Sequence, residues 1–405
     1  MKKQKLYLLT QAYPIKQRET SFIAPELPYL KENFDVTVVP LEECGHSILN
    51  RTAALIKSLC SPLLYRQLAA AKKDGKKIFK VFQFSLFMLW RANTYADYLK
   101  KNVFDAKNAI VYGYWYNEIV LSALLLKDKY PDYKYITRCH GYDVYDFRVP
   151  GDFHPYKKFM DERLDRIIFA CNHARQYYLK RHNKAESDKY CLYYLGVPAK
   201  DLSRRSNMYT HLADCTGTAV TDKPLTLVSC SSVIPLKRVG LIADALAQIN
   251  DTNIHWHHFG DGSQMDEIKQ KAKQLDAKPN ISCTLHGYVP NAEYIDILGS
   301  MNADLFITTS STEGGVPVSL SEAASFAIPV VATAVGGIPE IVSEENGTLL
   351  GENPTAAETA KAITEFCALA AEEKQAKSHA SLKKWENCFN SHNNSQKIID
   401  LLKHL

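Results

Sequence analysis

The sequence predicts an α/β protein of two domains, each built as a doubly wound parallel sheet. Three observations carry this. Short apolar, β-branched runs alternate with helical stretches through both halves of the chain, the pattern of strands buried on both faces between crossover helices. A polar, irregular stretch at 199–223 interrupts the alternation. The length, 405 residues, suits two domains at ~150 residues each. The expected layout is a Rossmann-like domain over 1–198, a linker at 199–223, a second Rossmann-like domain over 224–384, and a closing helical tail at 385–405.

In the first half, Lys5–Thr10 reads as a strand, Gln11–Ser21 as a loop, Phe22–Asn33 as a helix and Val36–Pro40 as the second strand. The loop Tyr13–Thr20, with Arg18 and Glu19, belongs at the carboxyl edge of the sheet, where ligands bind; a solvated charged loop explains the same residues. Ser47–Phe104 is mostly helical in pattern. It carries Lys72, Lys73, Lys76, Lys77 and Lys80, followed by Phe79, Phe82, Phe84, Phe87 and Trp90. Basic residues beside aromatics suit an anionic membrane surface, and a core-facing helix behind a charged loop is the alternative. Ala109–Tyr112 is a strand ending in Tyr114, Trp115 and Tyr116, aromatics placed either to stack on a sugar or to pack in the core. Tyr133–Arg138 is a strand running into His140-Gly141-Tyr142-Asp143. A histidine there can donate a hydrogen bond to a phosphate or hydroxyl, or be satisfied by backbone; Arg138 and Asp143 flank it. Arg166–Ala170 and Tyr190–Leu195 complete this half as strands.

The second half restarts with strand Leu225–Cys230, a loop to Arg238 and helix Val239–Ile249. Strands follow at Ile254–Phe259, Ile281–Leu285 and Leu305–Thr309. Ser310–Pro317 is a Gly- and Ser-rich loop. Ser319 reads as an N-cap with Glu322 at capping-box spacing, opening a short helix to about Ala327. Pro329 ends it, Val330–Thr333 is the next strand, and Gly336-Gly337 precede a helix near Pro339. Residues 355–380 read as helical. A helix starting beyond the carboxyl end of a parallel strand offers unpartnered amides and a positive dipole end. Gly314 and Gly315 let backbone approach a bulky ligand. The physical reading is a site for a phosphate ester or nucleoside diphosphate, using the amides near Ser319 and Leu320.

The side-chain arrangement resembles the donor site of family 4 glycosyltransferases, retaining enzymes of GT-B fold. Their motif places a Glu, seven residues, then a second Glu heading Glu-Ala, with a PVVAT-like strand after it. Glu322-Ala323 and Pro329–Thr333 match. Glu313 lies one residue early, with Gly314 at the strict position. The loop Ser232-Val-Ile-Pro-Leu-Lys-Arg238 resembles the family's Arg-x-x-Pro-x-Lys-Gly diphosphate loop. Lys237 matches, Ser232 stands where the Arg belongs, and Arg238 takes the place of the Gly. The resemblance implies catalytic roles for His140 and Glu313, and diphosphate contacts from Lys237 and Arg238. It further implies base pairing by backbone at Gly287, Tyr288 and Val289, and ribose contacts from Glu322. ETSFIAPELPYL resembles a subgroup that builds surface and exopolysaccharides, in which the loop with Tyr13, Arg18 and Glu19 faces the acceptor. Trp115, Tyr114 and Asp143 are further acceptor-side candidates. The implied activity is a retaining, hexosyltransferase-type transfer from a nucleotide-diphosphate sugar, UDP-sugar favoured, to a glycan or lipid-linked glycan. No metal or other cofactor is implied.

Composition narrows the rest. A net charge of +5 with 23% charged residues does not suggest nucleic acid. Ten cysteines lack any CxxC pair, which suits a reducing cytosol rather than a zinc site or disulfide framework. The first apolar run is too short for a signal peptide, and no run of ~20 apolar residues predicts a transmembrane helix. A cytoplasmic protein is expected, with peripheral contact at the inner membrane face through Lys72–Trp90. TQAYPIKQRET contains no glycine, which argues against a nicotinamide enzyme. Two other functions fit the same fold: a sugar-nucleotide epimerase, with added acid–base residues, and a non-catalytic nucleotide-sugar-binding or scaffold protein.

Overall fold

The computed structural model describes residues 3–16, 20–44, 47–200 and 223–405. Arg18, Glu19 and linker residues 201–222 lie outside the described residues. The chain divides into two units, Met1–Tyr194 with His392–Leu405, and Leu195–Ser391. Each contains one six-stranded sheet in which every pairing is parallel.

In the first unit, β1 (Lys5–Thr10), α1 (Thr20–Ile23), α2 (Leu27–Asn33) and β2 (Asp35–Pro40) open the fold. The helix expected over Phe22–Asn33 is two pieces: Pro25 cannot supply a helical amide, and Pro28 sits in the first turn of α2, where no amide partner is needed. Three helices follow: α3 (Ile48–Leu59), α4 (Pro62–Lys73) and the 25-residue α5 (Ile78–Asn102). Then come β3 (Ile110–Gly113), α6 (Glu118–Leu124), β4 (Lys134–Cys139), α7 (Gly141–Val144), α8 (Lys157–Arg163), β5 (Arg166–Phe169), α9 (Asn172–Arg181) and β6 (Tyr190–Leu192). The sheet order is β2-β1-β3-β4-β5-β6. Strand order reverses direction between β1 and β3, and loops leaving the carboxyl ends of such a pair diverge to leave a crevice. The core joins Leu6, Leu8, Ile110, Ile136 and Ile168 of the strands to Ile398, Ile399 and Leu402 of the C-terminal helix.

In the second unit, β7 (Leu225–Cys230), α10 (Val239–Leu246), β8 (Ile254–Phe259), α11 (Met265–Leu275), β9 (Ile281–Gly287), α12 (Asn291–Ser300), β10 (Leu305–Thr308), α13 (Val318–Ser325), β11 (Val330–Thr333) and β12 (Gly347–Leu350) follow in order. The sheet order β12-β11-β10-β7-β8-β9 places the reversal between β7 and β10. Strand β12 is absent from the sequence reading: Gly347-Thr-Leu-Leu is short and opens on a glycine. That glycine is needed, because a Cβ there would lie 2.0 Å from the Val330 carbonyl oxygen. The helix expected near Pro339 is a single 3-10 turn, Ile338–Glu340. The helical stretch expected at 355–380 is α14 (Ala356–Ala368) and α15 (Ala371–Lys384), parted at Leu369, whose backbone is extended. A π-turn (Trp385–Phe389) leads to α16 (Ser391–Lys403), whose apolar face enters the core of the first unit.

Candidate functional site

In the second unit the two loops at the β7/β10 reversal are tied together. After β7, a 3-10 turn (Pro235–Lys237) leads into α10, with Arg238 at its N-cap at φ +48°. This is the left-handed region, natural for glycine and strained for arginine. The strain is offset by hydrogen bonds. The Arg238 guanidinium donates to the carbonyls of Thr309 (2.7 Å), Ser310 (2.9 Å) and Glu352 (2.8 Å), and to Asn353 Oδ1 (3.1 Å). Thr309 Oγ1 donates to the Arg238 carbonyl at 2.9 Å, and the Ser311 amide to the Leu236 carbonyl at 2.9 Å. The structure therefore corrects the expectation of Arg238 as a free diphosphate contact: its head group joins the β7, β10 and β12 loops.

Lys237 turns the other way. Its ammonium is ion-paired with the Glu313 carboxylate, and both are mostly shielded from solvent. Glu313 is held from behind, since Gly336, at φ +55°, packs so closely that a Cβ would lie 2.2 Å from the Glu313 carbonyl oxygen. A Cβ at Gly337 would lie 2.7 Å from the Gly315 carbonyl carbon, while one at Gly315 would meet nothing. The Gly336-Gly337 pair thus supports the loop from beneath, and the Gly315 side opens to free space.

Helix α13 starts at Val318, with Pro317 as its N-cap, so Ser319 is inside the helix and not its cap. Proline fixes the entry φ and needs no amide there. The Leu320 amide donates to the Pro317 carbonyl at 3.1 Å. This moves the open end of the helix to the amides of Val318 and Ser319, one residue earlier than expected. Glu322 makes no capping box. Its buried carboxylate accepts from Asn291 Nδ2 at 2.8 Å. Burial raises its pKa, opposed by that hydrogen bond and by the charge of Lys200. Asn291 and Lys200 were not legible as site residues: one reads as a helix start, the other as the edge of a linker. Gly287, at φ +67°, ends β9 with open space where a side chain would go; Tyr288 beyond it is exposed and Val289 half-buried.

In the first unit, the loops after β1 and β3 flank an open cavity at the β1/β3 reversal. Its lining includes Gln11, Phe87, Arg91, Trp115, Glu118, Tyr142, Asp143 and His154. The His140 ring lies against Trp115 at 4.2 Å between centroids, with Tyr114 and Phe22 further off. Neither of its ring nitrogens makes a hydrogen bond, but Nδ1 lies 3.6 Å from Asp143 Oδ2, within ion-pair range. Asp143 is buried beneath it and accepts from the amides of His140 (3.2 Å) and Tyr116 (3.3 Å), tying the β4 loop to the β3 loop. Lys157, also buried, donates to the Tyr116 carbonyl and lies over the Tyr116 ring, and burial lowers its pKa to about 8. Arg91 pairs with Glu42 (2.6 Å) and Glu118 (3.3 Å) at the cavity wall, and burial raises the Glu118 pKa. Neither the arginine nor its acids carry a sequence signal, being scattered over α5, the β2 loop and α6.

Tyr114 is a correction. It is fully buried, donates to the Phe22 carbonyl at 2.8 Å and accepts from Arg138 at 3.0 Å, so it packs in the core. Arg138 is itself buried in an ion pair with Glu26 at 2.7 Å. Trp115 does reach the cavity, and Tyr13 packs half-buried against the sheet core.

Residues 217–384 match the family model of glycosyl transferases group 1. The chain is 25% identical over 188 residues to a protein of Escherichia coli K12 named as a colanic acid biosynthesis glycosyltransferase, WcaL; the match covers 45% of this chain and 46% of that one. The matched stretch thus spans about half the length of that relative. Among solved structures, a glycosyltransferase from Rickettsia africae aligns over 100% of this chain and 99% of its own, with TM-score 0.67 and 16% identity. Anabaena Alr3699/HepE, solved in complex with UDP and glucose, aligns over 100% of both chains with TM-score 0.61 and 15% identity. The match to the group 1 family model falls on the second unit, and the chain has the two-domain α/β fold called GT-B.

Proposed function

We propose that this protein is a retaining glycosyltransferase. It takes a sugar from a nucleotide-diphosphate sugar, UDP-sugar favoured, and passes it to a glycan or lipid-linked glycan in surface polysaccharide synthesis. The carrying observation is the convergence, at the β7/β10 reversal, of Lys237, the open first-turn amides of α13 and the free space beside Gly315. Cation, dipole and room together suit a diphosphate. The group 1 match over this unit, the likeness to a protein named for colanic acid synthesis, and a similar fold that holds UDP support the same reading.

In the reaction, the bond from the sugar's anomeric carbon to the donor phosphate breaks, and the acceptor hydroxyl oxygen bonds to that carbon on the same face. The acceptor proton passes to the departing phosphate oxygen. Lys237 and the α13 amides stabilise the negative charge that develops there. Glu322, oriented by Asn291, accepts from ribose hydroxyls. Glu313 holds Lys237 until the diphosphate arrives. His140, whose Nε2 has no hydrogen-bond partner, donates to the donor sugar or phosphate. Arg238 locks the loop. Trp115 and Asp143 serve the acceptor side. The proposed reaction uses no metal: Lys237 and the α13 amides oppose the leaving charge. Residence in the cytoplasm, with peripheral contact at the inner membrane face through Lys72–Trp90, belongs to the same proposal. Lys72, Lys73, Lys77, Lys80 and Phe79 are exposed, whereas Phe84 and Phe87 line the cavity.

The test is turnover with a panel of nucleotide sugars, read as release of free nucleoside diphosphate. Release from one UDP-sugar, abolished in Lys237→Ala, is expected. Isomerisation of the sugar without release, or no turnover of any donor, contradicts the proposal.

A further inference from the structure

Helix α3 is amphipathic in an unusual sense. It packs on α5 through small residues: Ala54 and Ser58 are its buried positions, and Asn93 of α5 donates to Ser58 Oγ at 2.8 Å. Its large aliphatic residues point away. Ile48 and Leu49 are each 82% exposed and Ile56 is 58% exposed, with Leu55 and Leu59 beside them. At 100° per residue these five occupy an arc of about 120°, roughly opposite Ala54 and Ser58. Tyr65 of α4 and Phe79 of α5 are exposed as well.

The segment that carries α3 has charge mostly of one sign. Between Ser47 and Lys80 the chain carries eight lysines and arginines against a single acid, Asp74. Asp74 is itself paired with Arg181 at 2.7 Å. The segment therefore nets +7 in a chain whose total is +5, so the remainder is slightly acidic. Among the described residues no helix is long and apolar enough to cross a membrane. An exposed apolar arc within a strongly basic segment has the properties of a helix that lies in the lipid interface, its aliphatics among the acyl chains and its cations at anionic headgroups.

We propose that α3 is a membrane-docking helix: its Ile48–Leu59 face inserts into the surface of an anionic bilayer, and the lysines of the α4–α5 turn bind the headgroups. This deepens the membrane contact proposed above and moves its apolar anchor from the aromatics of α5 to α3. A second copy of the chain is the other occupant for an apolar face. A two-fold interface here would set one +7 segment against another, and like charges oppose that association.

The experiment is co-sedimentation of the full chain with vesicles of phosphatidylcholine alone or mixed with phosphatidylglycerol. The variants are Ile48→Ser with Ile56→Ser, and Lys72→Gln with Lys73→Gln and Lys77→Gln. All five positions are exposed, so melting temperatures should match wild type. Binding to the mixed vesicles is expected to exceed binding to phosphatidylcholine by about tenfold or more, at ~1 kcal/mol per cation near the surface. It should fall with added salt, and each variant set should reduce it by a similar factor. Equal sedimentation of wild type and the isoleucine variant overturns the proposal. So does light scattering that shows a dimer dispersed by that variant, with no vesicle binding. The assay uses neither donor nor acceptor. A chain that binds UDP but ignores vesicles therefore refutes docking alone, and one that binds vesicles but no nucleotide refutes the transferase reading alone.

Discussion

Lys237 and Glu313 neutralise each other in a loop pair built to meet an anion. A diphosphate must therefore draw Lys237 away from a carboxylate as well as from water. Lys237→Ala removes a charge-assisted contact worth about 1.5–3 kcal/mol, so UDP affinity in a calorimetric titration should fall roughly 10- to 100-fold. Glu313→Gln separates two roles. If the carboxylate only positions Lys237, binding and turnover persist near wild type; if its charge acts in transfer, turnover falls while UDP binding is kept. His140 differs from both, because its ring is shelved on Trp115 with Nδ1 facing the Asp143 carboxylate at 3.6 Å and Nε2 without a hydrogen bond. His140→Ala should lower kcat much more than it raises KM for the donor, the signature of a contact made mainly in the transition state. An equal change in both constants would reassign it to ground-state binding.

At the scale of elements, the Arg238 clamp and the Gly336-Gly337 support form the platform for the anion site. Replacing Arg238 by Gly relieves the left-handed strain but deletes four hydrogen bonds, whereas Ala keeps the strain and loses the same bonds. Arg238→Ala should be the less stable of the two by about 1 kcal/mol, and both should bind UDP more weakly than wild type. Urea unfolding with a UDP titration checks the order. The elements were largely legible in the sequence because short strand-like runs alternate with helical stretches through both halves. Leu225–Cys230, Ile254–Phe259 and Val330–Thr333 end where expected. Legibility failed where long-range contacts override local pattern. Ser319-x-x-Glu322 spells a capping box, yet Pro317 starts the helix earlier and Asn291 claims the carboxylate. Arg238 reads as a diphosphate ligand, yet three carbonyls from two other loops hold its head group. Tyr114, which the sequence leaves between sugar platform and core, is core, because β3 delivers it beside the buried Arg138–Glu26 pair.

Over the whole molecule, each unit shields a histidine that favours the neutral ring, half-buried His182 in the first and fully buried His258 in the second. In the first, burial lowers the His182 pKa to about 4; in the second, it does the same for His258, which hydrogen-bonds Ser229. Both lie below the ordinary histidine value near 6.5. Between about pH 6.5 and pH 4 the unfolded chain binds the extra protons, so stability rises with pH through that window and falls as pH is lowered across it. Melting temperatures measured at pH 7.5, 6 and 5 should decline for both units, and replacing His258 by Gln should flatten the decline of the second. The two sheets share one plan, in which strand order reverses at β1/β3 and at β7/β10 and the polar groups gather at each reversal. The central claim concerns the second of these, that its loops hold a nucleoside diphosphate. A thermal-shift panel with UDP, GDP, ADP and CMP tests it before any acceptor is known. A ligand at 100 times its dissociation constant stabilises the folded state by ~2.7 kcal/mol. The account predicts a selective rise in melting temperature with UDP that disappears in Lys237→Ala; no response to any of the four nucleotides, or an equal response in that variant, would contradict it.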